Sequence, residues 1–269
     1  MHKYTAGTVT VVGGSSHFIH APVIAGLGAR AAGAGLVQLV VPDASRIAAG
    51  ALVPEATFTK QTPACVPPKA DVTVIGMGLS VTPSSEMLLS RLLSGSPGRF
   101  VLDADALAIL AHWYARKDHA VPVVAGQTLV LTPHAGEAAR LLDCRPDEIN
   151  ADRPAALRRI VERYHAVTVL KGHHTLVGAP DRDDVYTCEA GNPFMAMGGM
   201  GDLLAGILAA RWAALARRGN DDPFLAATAA VWLHATASDN LVSADPPVDP
   251  SILNTAHAAA SLRVQLERN

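Results

Sequence analysis

The sequence predicts a doubly wound α/β fold, in which helices cover both faces of a mostly parallel β-sheet. Short β-branched runs alternate with longer apolar segments, and Thr8–Val41 has the pattern of a strand–helix–strand unit. Hydrophobic residues make up 49% of the chain but aromatic residues only 4%. The core must therefore consist of Ala, Val, Leu and Ile, which suits helices packed on a parallel sheet. The 269 residues are enough for one large domain, which we predict to span residues 1–269.

The predicted strands are short, β-branched runs bounded by small or polar residues. In chain order they are Thr8–Val12, Leu36–Val41, Val72–Ile75, Phe100–Leu102, Thr128–Leu131 and Val167–Leu170. We expect right-handed crossovers between successive parallel strands. The segment Leu176–Cys188 predicts a hairpin, because Ala179–Asp183 in its middle contains turn-forming residues.

The predicted helices occupy the apolar segments between and after these strands. They are Pro22–Ala32, Pro83–Leu93, a helix from Asp105 through Trp113, one ending at Leu142, and then Asp202–Arg217, Pro223–Leu241 and Pro250–Leu266. Pro22 suits a first helical turn, where its missing N–H costs nothing. The proline-rich segment Thr62–Pro68 is expected to be a surface connection rather than a domain boundary.

Composition excludes several classes of protein. The formal net charge is −2 and no basic run occurs, which argues against nucleic-acid binding. The longest apolar region, Ala21–Val41, is interrupted by Arg30 and several glycines, so no membrane span is expected. Three scattered cysteines indicate neither a disulfide framework nor a zinc site and favour the cytoplasm. Met1–Gly7 leads directly into the first strand, so we expect no signal peptide.

The stretch Ala190–Ile207 carries the clearest functional signal. Three glycines fall within Gly198–Gly201, Asp202 follows at once, and an apolar helix is predicted to start there. Glycines let backbone N–H groups turn inward, and a helix start adds unpaired N–H groups and a positive dipole end. Together they predict a cradle for an anion such as phosphate. A carboxylate would repel phosphate, so Asp202 is either a chemically active residue or an ordinary helix cap.

Polar residues also follow the predicted strands at the edge where open parallel sheets bind ligands. These residues are Gly13–Ser15, Gly76–Gly78, Asp103–Asp105, Thr132–His134 and Lys171–Gly172. A lysine directly after a buried strand is costly unless it meets an anion, so Lys171 either binds a nucleotide phosphate or extends to solvent. His134 is either a substrate contact or a capping or core residue. Asp103 and Asp105 are caps, metal-linked carboxylates or ribose ligands, with capping the default for Asp105.

Four other polar residues give weaker signals. His173 and His174 are adjacent and would face opposite ways in a strand, so we expect no shared metal. His234 and Asp239 are five residues apart within a predicted helix, which is poor spacing for one face. We interpret both of these as structural.

The ordered motifs resemble the ribokinase-like superfamily and, within it, the ADP/ATP-dependent NAD(P)H-hydrate dehydratases. The resemblance extends over nearly the whole chain, and its most specific parts are Asp103–Leu107, Thr132–Glu137, Leu170–Gly172 and Gly198–Gly206. It implies a three-layer α/β/α ribokinase-like fold with a mostly parallel central sheet. The implied activity is metabolite repair: a nucleotide phosphorylates the C6 hydroxyl of hydrated NADH or NADPH, and loss of phosphate restores NAD(P)H.

The resemblance also implies residue roles. Asp202 would be the catalytic base, and the amides of Gly198, Gly199, Met200 and Gly201 would form the anion hole. The nucleotide would lie against Lys171, Gly172, His173, His174, Thr175 and Gly201, and the hydrated substrate against Ala21, Gly78, His134 and Asp202. ADP or ATP would be the phosphoryl donor, accompanied by Mg²⁺ whose ligands the sequence does not identify. A homo-oligomer is expected, and a separate NAD(P)H-hydrate epimerase would be the functional partner.

Two other hypotheses share the cradle and Asp202. The first is a ribokinase-like kinase of a small alcohol such as a vitamin precursor, against which the segment Thr132–Glu137 favours the dehydratase. The second is a nucleotide-binding homologue with impaired catalysis. In this chain Met197 and Met200 stand where the family usually has threonine, and a thioether cannot donate a hydrogen bond.

Overall fold

The computed structural model describes residues 6–65, 67–95, 97–116 and 126–268 and contains a nine-stranded sheet. The strands are β1 (Thr8–Val12), β2 (Leu36–Val41), β3 (Thr57–Lys60), β4 (Val72–Ile75), β5 (Arg99–Leu102), β6 (Thr128–Leu131), β7 (Val167–Leu170), β8 (Leu176–Gly178) and β9 (Tyr186–Thr187). Their order in the sheet is β3-β2-β1-β4-β5-β6-β7-β8-β9. Strands β1 to β7 are parallel, and β8 and β9 add the predicted antiparallel hairpin.

The helices between and after these strands form two layers. They are α1 (Ala21–Ala31), α2 (Asp43–Leu52), α3 (Pro83–Leu93), α4 (Asp105–Ala115), α5 (Ala135–Leu142), α6 (Pro146–Ala151), α7 (Arg153–Tyr164), α8 (Met200–Arg217), α9 (Pro223–Val242) and α10 (Ile252–Leu266). Helices α1, α2 and α8 to α10 share one core cluster, and α3 to α7 share the other. The α/β class and the helices on both faces of the sheet are therefore confirmed.

The central strand β1 shows why the sheet is buried on both faces. All five of its residues are buried, and Val11 pairs in register with Leu39 of β2 and Val74 of β4. Val11 belongs to one core cluster and Val12 to the other, because successive side chains of a strand point to opposite faces. A continuous β-branched run is the sequence expected for such a strand.

Four elements, α2, β3, α6 and α7, were not predicted from the sequence, and two helix starts were predicted at the wrong residue. Strand β3 is a four-residue edge strand that is only partly buried, so it lacks an apolar pattern. Helix α8 begins at Met200 rather than Asp202, and α10 begins at Ile252 rather than Pro250.

Two expectations concern segments that are partly outside the described residues. Thr62–Pro68 connects β3 to β4 and has no buried residue where described, as expected for a surface connection, although Val66 lies outside the described residues. Met1–Thr5, on which the expectation about a signal peptide rests, also lie outside them. None of the described helices combines the length and apolar character needed to cross a membrane.

Helices α1 and α8 pack closely because each presents a glycine to the other. A Cβ at Gly28 would overlap the carbonyl oxygen of Leu203, and a Cβ at Gly206 would overlap that of Ala25. Both obstacles are backbone atoms that cannot rotate away. The two glycines therefore determine how close α8, which carries Asp202, lies to α1.

We expect Gly206→Ala to destabilise the protein by about 1–3 kcal/mol, because the added methyl group must push α1 and α8 apart. Urea unfolding measures the change. Gly50→Ala in α2 is the matched control, since no atom lies within 4 Å of a Cβ there. That control should be neutral or slightly stabilising, because alanine is the better helix former. Equal stability of the two variants would contradict this account of the packing.

Candidate active site

Polar residues that follow three neighbouring parallel strands meet at one edge of the sheet, as predicted. Lys171, after β7, places its Nζ 2.7 Å from Asp103 Oδ1, after β5. Thr132, after β6, donates its hydroxyl to the same carboxylate oxygen at 2.7 Å. The backbone N–H of Lys171 donates to Pro133 at 2.8 Å, which joins the ends of β6 and β7. The predicted ligand-binding edge therefore holds a cation and a carboxylate in direct contact.

Lys171 is mostly buried and lies among carboxylates. Its side chain is 15% exposed, and Glu137 Oε2 lies 3.8 Å from its Nζ. Burial alone would lower the pKa of Lys171, but Asp103 and Glu137 outweigh that effect and raise it. The ammonium is therefore charged at neutral pH. The anions that Lys171 meets in the structure are Asp103 and Glu137, which the sequence did not predict, and the alternative that it extends to solvent is wrong. A nucleotide phosphate as a further partner stays a prediction.

Asp202 lies in the first turn of α8, and the pKa of its carboxyl is raised. Burial raises the pKa of this carboxyl to about 7, and the nearby Asp103 adds to the rise while Lys171 opposes it. A carboxyl with a pKa near 7 exists in both protonation states at neutral pH. It is therefore suited to accept a proton, the role expected of a general base.

The backbone of the segment before Asp202 has features that suit the predicted anion cradle. Gly199 precedes α8 with a φ of +95°, a left-handed conformation that glycine adopts readily. The first helical hydrogen bond runs from the Leu203 N–H to the Gly199 carbonyl, so the amides of Gly201 and Asp202 come before the helical ladder. Met200 donates its N–H to Met197 only at 3.5 Å, and its side chain is buried. Only the backbone of Met200 can therefore serve an anion.

The absence of a side chain at Gly201 brings the cradle close to the buried lysine. A Cβ at this position would lie 3.1 Å from Lys171 Nζ. The positive end of α8 and the ammonium of Lys171 are thus neighbours, and both attract negative charge. This pair can hold a phosphoryl group next to Asp202.

His134 caps helix α5. Its Nδ1 accepts hydrogen bonds from the N–H groups of Gly136 at 3.0 Å and Glu137 at 3.3 Å. In return the Glu137 carboxylate accepts from the His134 N–H at 2.8 Å. Because Nδ1 is an acceptor here, Nε2 carries the proton of the neutral ring. The capping alternative for His134 is confirmed, and its exposed ring still borders the cavities described next.

Two adjoining cavities of about 770 and 840 Å³ lie beside this cluster. Both are lined by His134, Lys171, Gly172, His173 and His174. The smaller also contacts the cradle at Gly198, Met200 and Gly201, and the larger contacts Arg153. The residues predicted for the nucleotide therefore line a common space.

The residues predicted for the hydrated substrate are only partly brought together. Ala21 and Gly78 are neighbours, because a Cβ at Gly78 would lie 3.3 Å from the Ala21 Cβ. Gly78 has a φ of +63°, which is unfavourable for a side chain. A Cβ at Gly199 would lie 3.0 Å from Ile24 Cδ1, so the first turn of α1 borders the cradle. Ala21, Gly78 and Asp202 line neither of the two cavities.

Two carboxylates and a histidine were not among the predicted site residues. Glu137 links the α5 cap to Lys171 and was named only within a motif, whereas Asp103 was left among alternatives. His234, interpreted as structural, is buried yet lines the smaller cavity. A buried polar residue in an apolar helix was the signal that could have identified it.

Asp239 confirms its structural interpretation by holding the glycine-rich loop on α9. It accepts hydrogen bonds from the Gly191 N–H at 2.8 Å and from Asn192 Nδ2 at 2.9 Å. The Asn192 amide also reaches Ser238 Oγ at 3.0 Å. The loop that leads into the cradle is therefore fixed to a long, well-packed helix.

His173 and His174 lie in a turn rather than a strand, with ring centroids 3.8 Å apart. The expectation that they face opposite ways is therefore wrong, because it assumed a strand. Within the described ranges, no group of three or more His, Cys, Asp or Glu residues is placed to hold a metal ion.

The sequence matches a known protein family. The sequence profile described as NAD(P)H-hydrate dehydratase matches residues 9–256. An ADP-dependent (S)-NAD(P)H-hydrate dehydratase of Neisseria meningitidis is 37% identical, over 88% of this chain and 78% of that protein. A bifunctional NAD(P)H-hydrate repair enzyme of Gloeobacter violaceus is 36% identical, over 90% of this chain and 46% of its own length. The chain thus spans about half the length of such bifunctional relatives.

The fold comparison agrees with the sequence comparison. An ADP/ATP-dependent NAD(P)H-hydrate dehydratase of Bacillus subtilis, co-crystallised with ATP and Mg²⁺, superposes with a TM-score of 0.81 at 26% identity. The match covers 100% of this chain and 91% of that one. The three-layer fold implied by the resemblance is confirmed.

Proposed function

Because the chain belongs to the NAD(P)H-hydrate dehydratase family, we propose that it uses ADP or ATP to dehydrate the S-form of hydrated NADH or NADPH. The observation that carries this proposal is the placement of Asp202. A carboxyl with a pKa near 7 stands at the start of α8, directly after an anion cradle and close to the ammonium of Lys171. That arrangement suits transfer of a phosphoryl group to a hydroxyl.

The proposed reaction has two steps. Asp202 accepts the proton of the C6 hydroxyl while that oxygen forms a bond to the terminal phosphorus of the nucleotide, and the bond from this phosphorus to the leaving nucleotide oxygen breaks. The C6–O bond of the phosphate ester then breaks. Phosphate leaves with the bonding electrons, and loss of a proton from the neighbouring ring carbon restores the double bond of NAD(P)H. Amides of the cradle stabilise the charge of the transferring group.

We assign the two ligands to two neighbouring sets of residues, with His134 bordering both. The nucleotide lies against Lys171–Thr175 and Gly201, which is supported by the cavity that these residues line together. The hydrated nicotinamide lies towards Ala21, Gly78 and His134. The contact between Ala21 and Gly78 and the exposed ring of His134 support this side of the assignment.

Magnesium would accompany the nucleotide rather than occupy a protein site. Asp103 and Glu137, the buried carboxylates of the site, are already paired with Lys171. The described residues offer no cluster of three or more metal-binding side chains. Mg²⁺ binds readily to nucleotide phosphates and water with few protein ligands, and there it would neutralise phosphate charge.

The test is to incubate the protein with hydrated NADH or NADPH and either ADP or ATP. We expect the near-ultraviolet absorbance of the reduced nicotinamide to return, with one phosphate released per turnover. A stable phosphorylated product instead would favour the small-alcohol kinase. Nucleotide binding without turnover would favour the impaired homologue.

We expect the rate to rise with pH around neutrality, because Asp202 must be ionised to accept a proton. With its pKa raised to about 7, the ionised fraction increases about ten-fold between pH 6 and pH 8. The kcat/KM should follow this increase and level off above it. Nucleotide affinity measured over the same range is the control, since phosphate groups titrate there too. A flat profile at constant nucleotide occupancy would contradict the role of Asp202.

Several finer features remain proposals. Self-association is suggested by the composition and by the resemblance. A cytoplasmic location and a partnership with an NAD(P)H-hydrate epimerase follow from the proposed repair activity. The relative from Gloeobacter violaceus is named as bifunctional, which agrees with a second activity acting on the same damaged cofactor. We further propose that residues 1–269 form a single domain.

A further inference from the structure

His234 is a buried histidine whose hydrogen bonding is incomplete. It lies in α9 and is 6% exposed. Its Nε2 is buried and has no hydrogen-bond partner in the part of the chain that the structure describes. Leaving a buried polar atom unpaired is unfavourable, so such atoms usually find a partner in water or a ligand. The surrounding protein does not explain why a histidine stands here.

His234 is one of the residues that line the 770 Å³ cavity. The same cavity is lined by Lys171 and Gly201 at its cationic end and by Leu204 and Val231 along an apolar part. The cationic end suits phosphate, and the apolar part suits a nucleobase or sugar ring. His234 therefore shares one cavity with a cation that suits phosphate and with apolar side chains that suit a nucleoside.

The charge state of His234 matches an uncharged ligand group. Burial, with a smaller effect of Lys171, lowers the pKa of the imidazole to about 4, so the ring is neutral at physiological pH. One nitrogen of a neutral imidazole donates and the other accepts. Such a ring pairs well with hydroxyl groups or base nitrogens, whereas the ammonium of Lys171 pairs with phosphate.

We propose that His234 is a nucleotide-specificity residue, whose imidazole hydrogen-bonds an uncharged polar group of the nucleoside when the phosphates lie against the cradle. This inference rests on the proposed function, because it requires an adenine nucleotide in the cavity. The proposal divides nucleotide recognition between two groups of residues. Lys171 and the amides near Gly201 bind the phosphates, and His234 of α9 binds the nucleoside.

The experiment compares ATP with inorganic tripolyphosphate, which has the phosphates but no nucleoside. Titration calorimetry measures the affinity of the wild type, His234→Leu and His234→Gln for both. We expect His234→Leu to bind ATP about 5- to 10-fold more weakly and tripolyphosphate unchanged. His234→Gln should recover most of the ATP affinity, since its amide can replace the ring nitrogen. Asn240→Ala, an exposed position on the same helix, is the control.

The outcomes separate this inference from the proposed function. A wild type that binds neither ADP nor ATP overturns both. Two results would overturn the inference alone, provided that the wild type binds ATP. In the first, His234→Leu binds ATP as well as the wild type does. In the second, it loses affinity for ATP and for tripolyphosphate equally. If the leucine variant does not fold, NMR of the histidine-labelled wild type decides. The His234 ring signal, assigned with His234→Gln, must shift with ATP but not with tripolyphosphate.

Discussion

Asp202→Asn is expected to lower turnover by about 10²- to 10⁴-fold, the usual contribution of a general base. An amide of the same shape cannot accept the proton of the attacking hydroxyl. Nucleotide affinity should change little or increase, because the variant removes a negative charge next to the cradle. Steady-state kinetics and ATP titration measure the two effects separately.

The same variant should keep its fold. The pKa of Asp202 is raised from 3.8 to about 7 in the folded protein, so the ionised carboxyl is unfavourable there. Its cost in stability grows as the pH rises from about 4 to about 7 and is complete above that. Asparagine removes that cost, and Asp202→Asn should therefore be at least as stable as the wild type at pH 8. Asp147→Asn, at an exposed carboxylate in α6, is the control that should leave turnover unchanged. Turnover by Asp202→Asn near the wild-type rate would refute the proposed base.

The parallel strands could be predicted because burial on both faces demands a continuous apolar run. Val9, Val11 and Val12 of β1 are fully buried, and such a run has few other interpretations. Helix α7 was missed because its apolar residues, such as Leu157 and Ile160, are separated by arginines in a strongly polar segment. Only packing against β7 and β8 shows which of its faces is buried. Local pattern therefore predicted the sheet better than its covering helices.

The sequence could predict which residues of the candidate site lie at one edge of the sheet, but not which of them form ion pairs or hydrogen bonds with each other. Strand ends placed Lys171, His134 and Asp103 on one edge, because parallel strands end together. Which carboxylate neutralises Lys171 depends on the register of β5 against β6 and β7, which the sequence does not state. His234 comes from a helix far along the chain. Its position at the cavity depends on how α9 packs, so the local signal of a histidine in an apolar helix could not show which cavity it lines.

Lys171→Met is expected to cost about 3–5 kcal/mol of stability, because it leaves Asp103 and Glu137 as buried carboxylates without a cation. Nucleotide affinity should fall as well, since the cradle loses its neighbouring ammonium. Urea unfolding and ATP titration measure the two changes. The exposed pair of Lys60 and Asp43 is the matched control, with the same separation of 2.7 Å. Because water screens that pair, Lys60→Met should have little measurable effect.

A second variant distinguishes loss of the charge pair from simple loss of packing. Adding Asp103→Asn to Lys171→Met removes one of the two unpaired carboxylates, so the double variant should recover part of the lost stability. If the penalty came only from poorer packing of the methionine, the second change would recover nothing. Recovery of stability without recovery of ATP binding would show that Lys171 has two separate roles. It neutralises the buried carboxylates, and it attracts the phosphates to the start of α8.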